Sequence, residues 1–285
     1  MKKIIVGGCS FTDKNMPRHA KPNAMDFKMW PEVLGEVTER EVINVGVCGS
    51  GNRSILHNVV KEVLKHNPKD IDAVIVAWSE WTRQDILSDN GDYKMPGARW
   101  HHSFRTIIPR VPDVKDSFTK DSIVDSETKV DSYYDMLETK FPKDIDIMND
   151  NLQIMYMFQC FCNELHINFL QMQMLSTYNK FRKESNTTAN YDTKETLDPD
   201  KYPTDLEMEK RQIRERDFIE NPISLLIDDS KFIGYPIFER LGGYNMLELL
   251  RKTYGESYRI SGIDAHPNEE SHRFLADRVL EALDL

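Results

Sequence analysis

The chain has 285 residues, 40% of them apolar, and 37 Lys and Arg against 47 Asp and Glu give a formal charge of −10. At roughly 150 residues per domain the length admits one elaborated α/β domain or two small domains, and the apolar share supplies a sizeable core and excludes wholesale disorder. A surface of this sign excludes a broad nucleic-acid or anionic-membrane face, and the longest apolar run, Ala73 to Trp78, falls far short of the roughly 18 residues of a bilayer span.

Lys3 to Gly8 reads as a first buried strand ending in glycines. Its apolar stretch of about five residues is shorter than the roughly 7 to 15 that a secretory signal needs. The cysteines Cys9, Cys48, Cys160 and Cys162 show neither metal nor disulfide spacing, so a reducing, cytoplasmic setting is expected. Asp26 to Val37 has helical spacing through Phe27, Trp30, Val33 and Leu34, and Glu41 to Val47 reads as a second strand. After the turn Cys48-Gly49-Ser50-Gly51-Asn52, Arg53 to His66 places Ile55, Leu56, Val59, Val60, Val63 and Leu64 on one helical face, and Asn67-Pro68 stops it. Asp72 to Ser79 is nearly all apolar, as a strand covered on both faces should be. Asp85 to about Asp144 lacks a clean period and reads as an insertion. Asp146 to Leu165 predicts a helix, Ile167 to Met172 a fourth strand, and Ser176 to about Glu220 a second, polar insertion leading into an exposed helix. Apolar content returns from Ile223 to Leu250, and a loop at Gly262 to Asn268 precedes an amphipathic helix, Glu269 to Leu283. Strands alternating with helices predict one α/β domain over residues 1–285, a three-layer, doubly wound parallel sheet with insertions at about 85–144 and 176–220.

Open α/β sheets bind ligands beyond the carboxyl ends of their strands, so chemistry is sought in the loops that follow them. Ser10 follows the first strand, where a strand giving way to a helix either exposes a nucleophilic hydroxyl or uses it as a cap. Gly49 and Gly51 follow the second strand, and no dinucleotide or P-loop signature accompanies them. Trp78, Ser79, Trp81 and Arg83 border the third, where the tryptophans and Arg83 either meet a sugar ring or pack beneath the loop. His266, two residues after Asp264 and just before the last helix, is either a loop histidine or a base whose Nδ1 is held by the carboxylate while Nε2 faces Ser10. Cys9 is set aside as nucleophile, because adjacent residues leaving a strand point opposite ways. His101 and His102 lack the spacing of a metal pair.

Taken in order, Gly8-Cys9-Ser10-Phe11, Asn44-Val45-Gly46-Val47-Cys48-Gly49 and Asp264-Ala265-His266-Pro267-Asn268 resemble the blocks of the SGNH (GDSL-like) hydrolase family. The resemblance covers roughly residues 1–85, 145–175 and the last 30. It implies a flavodoxin-like sheet and a serine esterase needing no cofactor or metal. Ser10 would be the nucleophile, His266 the base and Asp264 its orienting acid, and the oxyanion would be held by the N–H groups of Ser10 and Gly49 with Ser79. Three positions depart from the family pattern: Cys9 where an aspartate is usual, Ser79 where an asparagine amide is usual, and a D-x-H spacing where D-x-x-H is commoner. The expected substrate is a small acyl ester or an acylated glycan, with no nucleic-acid or membrane partner. A glycan O-acyltransferase, and a non-catalytic carbohydrate-binding or structural module on a degenerate hydrolase fold, remain open alternatives.

Overall fold

A computed structural model of the chain describes residues 2–14, 27–87, 104–107, 144–178, 205–261 and 266–283. Strand β1 (Lys3–Gly7), helix α1 (Trp30–Thr38), strand β2 (Glu41–Asn44), helix α2 (Asn52–Val63) and strand β3 (Ile71–Trp78) alternate as the periodicity predicts. Two short strands, β4 (Gln84–Leu87) and β5 (Phe104–Ile107), pair antiparallel inside the stretch that shows no period in the sequence. The chain continues through α3 (Asp144–Glu164), β6 (Phe169–Gln173), α4 (Asp205–Glu220), β7 (Phe232–Ile233), α5 (Met246–Tyr254) and α6 (Glu269–Ala282). Helix α1 starts later than its apolar spacing suggests. Phe27 to Met29 stay outside it, and Met29 N–H is taken by Glu32 Oε2 at 2.9 Å.

The main sheet has five strands in the order β2-β1-β3-β6-β7, every pair parallel. Successive strand residues face opposite sides, and this alternation fills two separate layers. Ile5, Val74, Val76, Trp78 and Phe169 meet Ile55 and Val59 of α2 and Met148, Leu152, Met155 and Phe158 of α3. Ile4, Val6, Ala73, Ile75, Ala77, Leu170 and Met172 meet Trp30 and Leu34 of α1, Met246 and Leu250 of α5, and Leu275, Ala276 and Val279 of α6. Each large apolar side chain so enclosed contributes about 1.5–3 kcal/mol relative to exposure, which is why β3, buried at all eight positions, has no polar face to read. Helices on both faces of a parallel sheet make the three-layer, doubly wound architecture. Among the described residues no helix is long and apolar enough to cross a membrane.

This strand order positions the site. β1 lies between β2 and β3, so the chain moves to one side after β1 and returns to the other after β2. The loops leaving β1 and β3 therefore diverge at the topological switch point, where open sheets of this kind form their ligand crevice.

Candidate active site

β1 ends at Gly7 and the chain turns at once: the N–H groups of Thr12 and Asp13 both donate to the Cys9 carbonyl, at 2.9 and 3.0 Å. Ser10 thus sits in a single turn, and not at the start of the helix its position in the sequence suggests; residues 15–26 lie outside the described part. The turn is pressed onto the sheet because Thr12 occupies the space above two glycines. A Cβ at Gly8 would come within 2.3 Å of Thr12 Oγ1, and one at Gly46 within 2.9 Å of its Cγ2. Cys9 is wholly enclosed, while the Ser10 hydroxyl and the Ser10 N–H have no hydrogen-bond partner among the described residues.

The loop after β2 is bound to this turn along its length. Val45 and Val47 N–H groups donate to the carbonyls of Val6 and Gly8, at 2.8 and 3.0 Å. Asn44 Nδ2 donates to Thr12 O at 2.6 Å while its Oδ1 accepts from Gly46 N–H, and Asp13 Oδ2 accepts from Cys48 N–H at 2.9 Å. Gly49 follows at φ +80°, a left-handed backbone that only glycine adopts without strain. Its N–H is buried and has no acceptor among the described residues. A buried backbone donor without an acceptor is rare and costly, and Gly49 and Ser10 each leave one N–H without an acceptor among the described residues. Burial, with Cys9 and Asp13 adding to it, pushes the Cys48 thiol up to about 11, so it stays protonated and is no competing nucleophile.

Beyond β3, a network of buried amides fixes the chain. Asn52 Oδ1 accepts from Ser79 N–H at 2.7 Å, Asn52 Nδ2 donates to Asn151 Oδ1 at 2.7 Å, and Gln173 Nε2 donates to Ser79 O at 2.8 Å. Ser79 N–H is therefore spent. Its side chain is fully enclosed and the hydroxyl has no partner among the described residues, so of the three expected oxyanion donors it is the one whose side chain is shut in. Trp78 and Trp81 are corrected outright as substrate-binding residues. Both are completely buried, with indole N–H groups donating to Gln171 and Gln173 at 2.9 and 3.1 Å and rings set edge-on to Phe158 and to Tyr178 and Phe238. Alternation along an extended chain does not carry through the turn at Trp81, which is why its burial is invisible in the sequence. Arg83, by contrast, lies among the loops. Its Nε donates to Glu80 Oε2 at 3.1 Å and its Nη1 reaches Ser50 O at 3.4 Å.

His266 lies beside the turn that carries Ser10, its ring centroid 5.4 Å from that of Phe11. The loop is held there by Ile260 N–H donating to His266 O at 2.9 Å and Asn268 N–H donating to Tyr258 O at 2.8 Å, while Asn268 Oδ1 caps α6 by accepting from Ser271 N–H. Asp264 lies outside the described residues, as do His101 and His102. One further histidine, which follows the Asp264–Asn268 block in the sequence, was given no role there. His272, on the buried face of α6, accepts the Trp30 N–H at Nδ1 (3.3 Å) and so serves the N-terminus of α1. Its burial, with the neighbouring His266 adding to it, pushes its pKa down to about 3, so it is neutral and structural. Spacing along α6 puts it in line with Leu275, Ala276 and Val279, and that was the available signal. Among the described residues no cluster of His, Cys, Asp or Glu is arranged to hold a metal ion.

No protein-family model matches the chain, and no curated protein matches it. In structure it is similar to a protein assigned to the lipolytic G-D-S-L family from Desulfitobacterium hafniense DCB-2, at 12% identity over 99% of this chain and 100% of that one, with a TM-score of 0.43. It is also similar to an acetyl xylan esterase, AlAXEase, at 12% identity over 99% of each chain and a TM-score of 0.41.

Proposed function

We propose that the chain is a serine esterase of the SGNH (GDSL-like) type, cleaving small acyl esters through an acyl-enzyme. One observation carries this reading: at the switch point of the sheet, the Ser10 hydroxyl and the N–H groups of Ser10 and Gly49 have no acceptor among the described residues, in two loops bonded directly to each other, with His266 alongside. In this reading Ser10 Oγ attacks the ester carbonyl while His266 accepts its proton, and the carbonyl π pair moves to oxygen, where the two N–H groups receive it. Collapse expels the alcohol, which takes the proton from His266, and water repeats the sequence on the acyl-serine. Asp264 would fix the imidazole tautomer.

The non-catalytic alternative draws on the enclosed Ser79, since loss of one donor costs about 2.7–4 kcal/mol of transition-state stabilisation in other hydrolases. Hydrolysis of p-nitrophenyl acetate by Ser10→Ala and Cys9→Ala variants separates the two. Ser10→Ala should be inactive with an unchanged thermal melt, and Cys9→Ala should retain much of the rate. Equal loss in both, or an inactive wild type, removes the esterase reading.

A further inference from the structure

The enclosure of Ser79 leaves the oxyanion site with two backbone donors and no side-chain donor, and the residue placed to supply one is Arg83. Its position is set from two directions. Glu80 Oε2 accepts from Nε at 3.1 Å, Ser50 O lies 3.4 Å from Nη1, and Ser50 is the neighbour of Gly49. Its side chain keeps only 10% exposure, and Nη2 has no acceptor among the described residues. Burial by itself would favour the neutral guanidine. The Glu80 carboxylate on its Nε offsets that burial, so the group is held charged.

A guanidinium with five N–H groups and two committed directions has donors to spare, and a cation fixed in a water-poor crevice acts on developing negative charge far more strongly than in water. A single hydrogen bond from Ser79 would have been the weaker solution. We propose that Arg83 is a catalytic residue, its Nη2 donating to the oxyanion beside the N–H groups of Ser10 and Gly49, in place of the side-chain amide that this chain lacks at Ser79. The inference rests on the esterase reading above. Arg83 gains and loses no proton in the step. The new bond is Ser10 Oγ to the carbonyl carbon, and the oxygen that receives the π pair is the atom Arg83 holds. Glu80 holds the guanidinium at Nε and balances its charge in the resting enzyme.

The test is steady-state kinetics of wild type, Arg83→Met and Arg83→Lys on p-nitrophenyl acetate, with a thermal melt of each and Ser10→Ala as control. Because the contact forms only as charge develops, Arg83→Met should lower kcat by about 10²- to 10³-fold with KM within about twofold. Arg83→Lys, a point charge without the planar fork, should recover part of that loss, and millimolar guanidinium chloride should partly restore Arg83→Ala. If Arg83→Met does not fold, a fall of kcat at constant KM in Arg83→Lys supports the proposal, and wild-type kcat in Arg83→Lys overturns it. A normal kcat in a folded Arg83→Met, or a raised KM at normal kcat, also overturns it, the latter making Arg83 a substrate clamp. An active wild type with a dead Ser10→Ala and normal Arg83 variants sinks this inference alone, whereas an unaffected Ser10→Ala sinks the esterase reading beneath it as well.

Discussion

At the scale of single residues, the two histidines near the site carry opposite duties. His272 must be neutral to accept the Trp30 N–H, and its pKa of about 3 lies below the ordinary unfolded-chain value of about 6.5. The unfolded chain therefore binds more protons between those values, so this contribution to stability is complete above about pH 6.5 and is lost as the pH falls toward 3, at up to about 1.4 kcal/mol per pH unit. His272→Asn, which keeps an acceptor but cannot be protonated, should show a flatter fall of stability in urea melts across that window. A slope identical to wild type would refute the assignment. His266 is the one whose replacement should stop turnover: His266→Gln should remove most of the p-nitrophenyl acetate rate while leaving the melt in place. Ser79 gives a third residue-level outcome. With its hydroxyl enclosed and its N–H held by Asn52, Ser79→Ala should alter kcat by no more than a few-fold, and a loss near 10²-fold would show that the side chain does reach the oxyanion. The loop positions of Ser10, Gly49 and Arg83 were legible in the sequence from the order of the predicted elements. Trp78 and Trp81 were not, because a tryptophan bordering a site and one packed beneath it leave the same mark in a sequence.

At the scale of elements, the loop carrying Gly49 runs straight into α2, and the start of that helix is held from outside it. Gly51, the residue before α2, offers no side chain, and Asp85 of β4 takes over the capping: its Oδ1 accepts from Gly51 N–H at 3.1 Å and its Oδ2 from Ser54 N–H at 2.8 Å. The carboxylate comes so close that a Cβ at Gly51 would lie 2.6 Å from Asp85 Oδ2, so this glycine is required for space. Asp85→Ala should cost about 0.5–2 kcal/mol in chemical denaturation, and Gly51→Ala more than that. Equal stability of both variants with wild type would mean that α2 is capped in another way. The sequence marks α2 by its apolar spacing but hides this cap, since the aspartate lies more than thirty residues away on a strand of a segment that shows no period. The two residues of β7 are hidden for a related reason: alternation cannot show in so short a strand.

At the scale of the whole molecule, the two apolar layers follow from patterns that a sequence displays well: a nearly all-apolar β3, a short apolar run in β1 and helices with one apolar stripe. Connectivity then does the rest, since a parallel sheet that reverses its winding after β1 must open its crevice between the loops of β1 and β3. The buried tryptophans belong to this scale. Trp81→Ala should destabilise by about 3–5 kcal/mol, as large-to-small core changes of this kind do, and Trp81→Phe should lower the melting temperature without changing KM for any ester; a selective rise in KM would return Trp81 to the substrate site. The central claim is that this crevice holds an activated serine, and a fluorophosphonate probe tests it most directly. Incubation of the intact chain with the probe, followed by peptide mass mapping, should place a single phosphonyl adduct on Ser10 and none on Ser10→Ala. An unlabelled wild type, or an adduct on any other residue, would contradict the account.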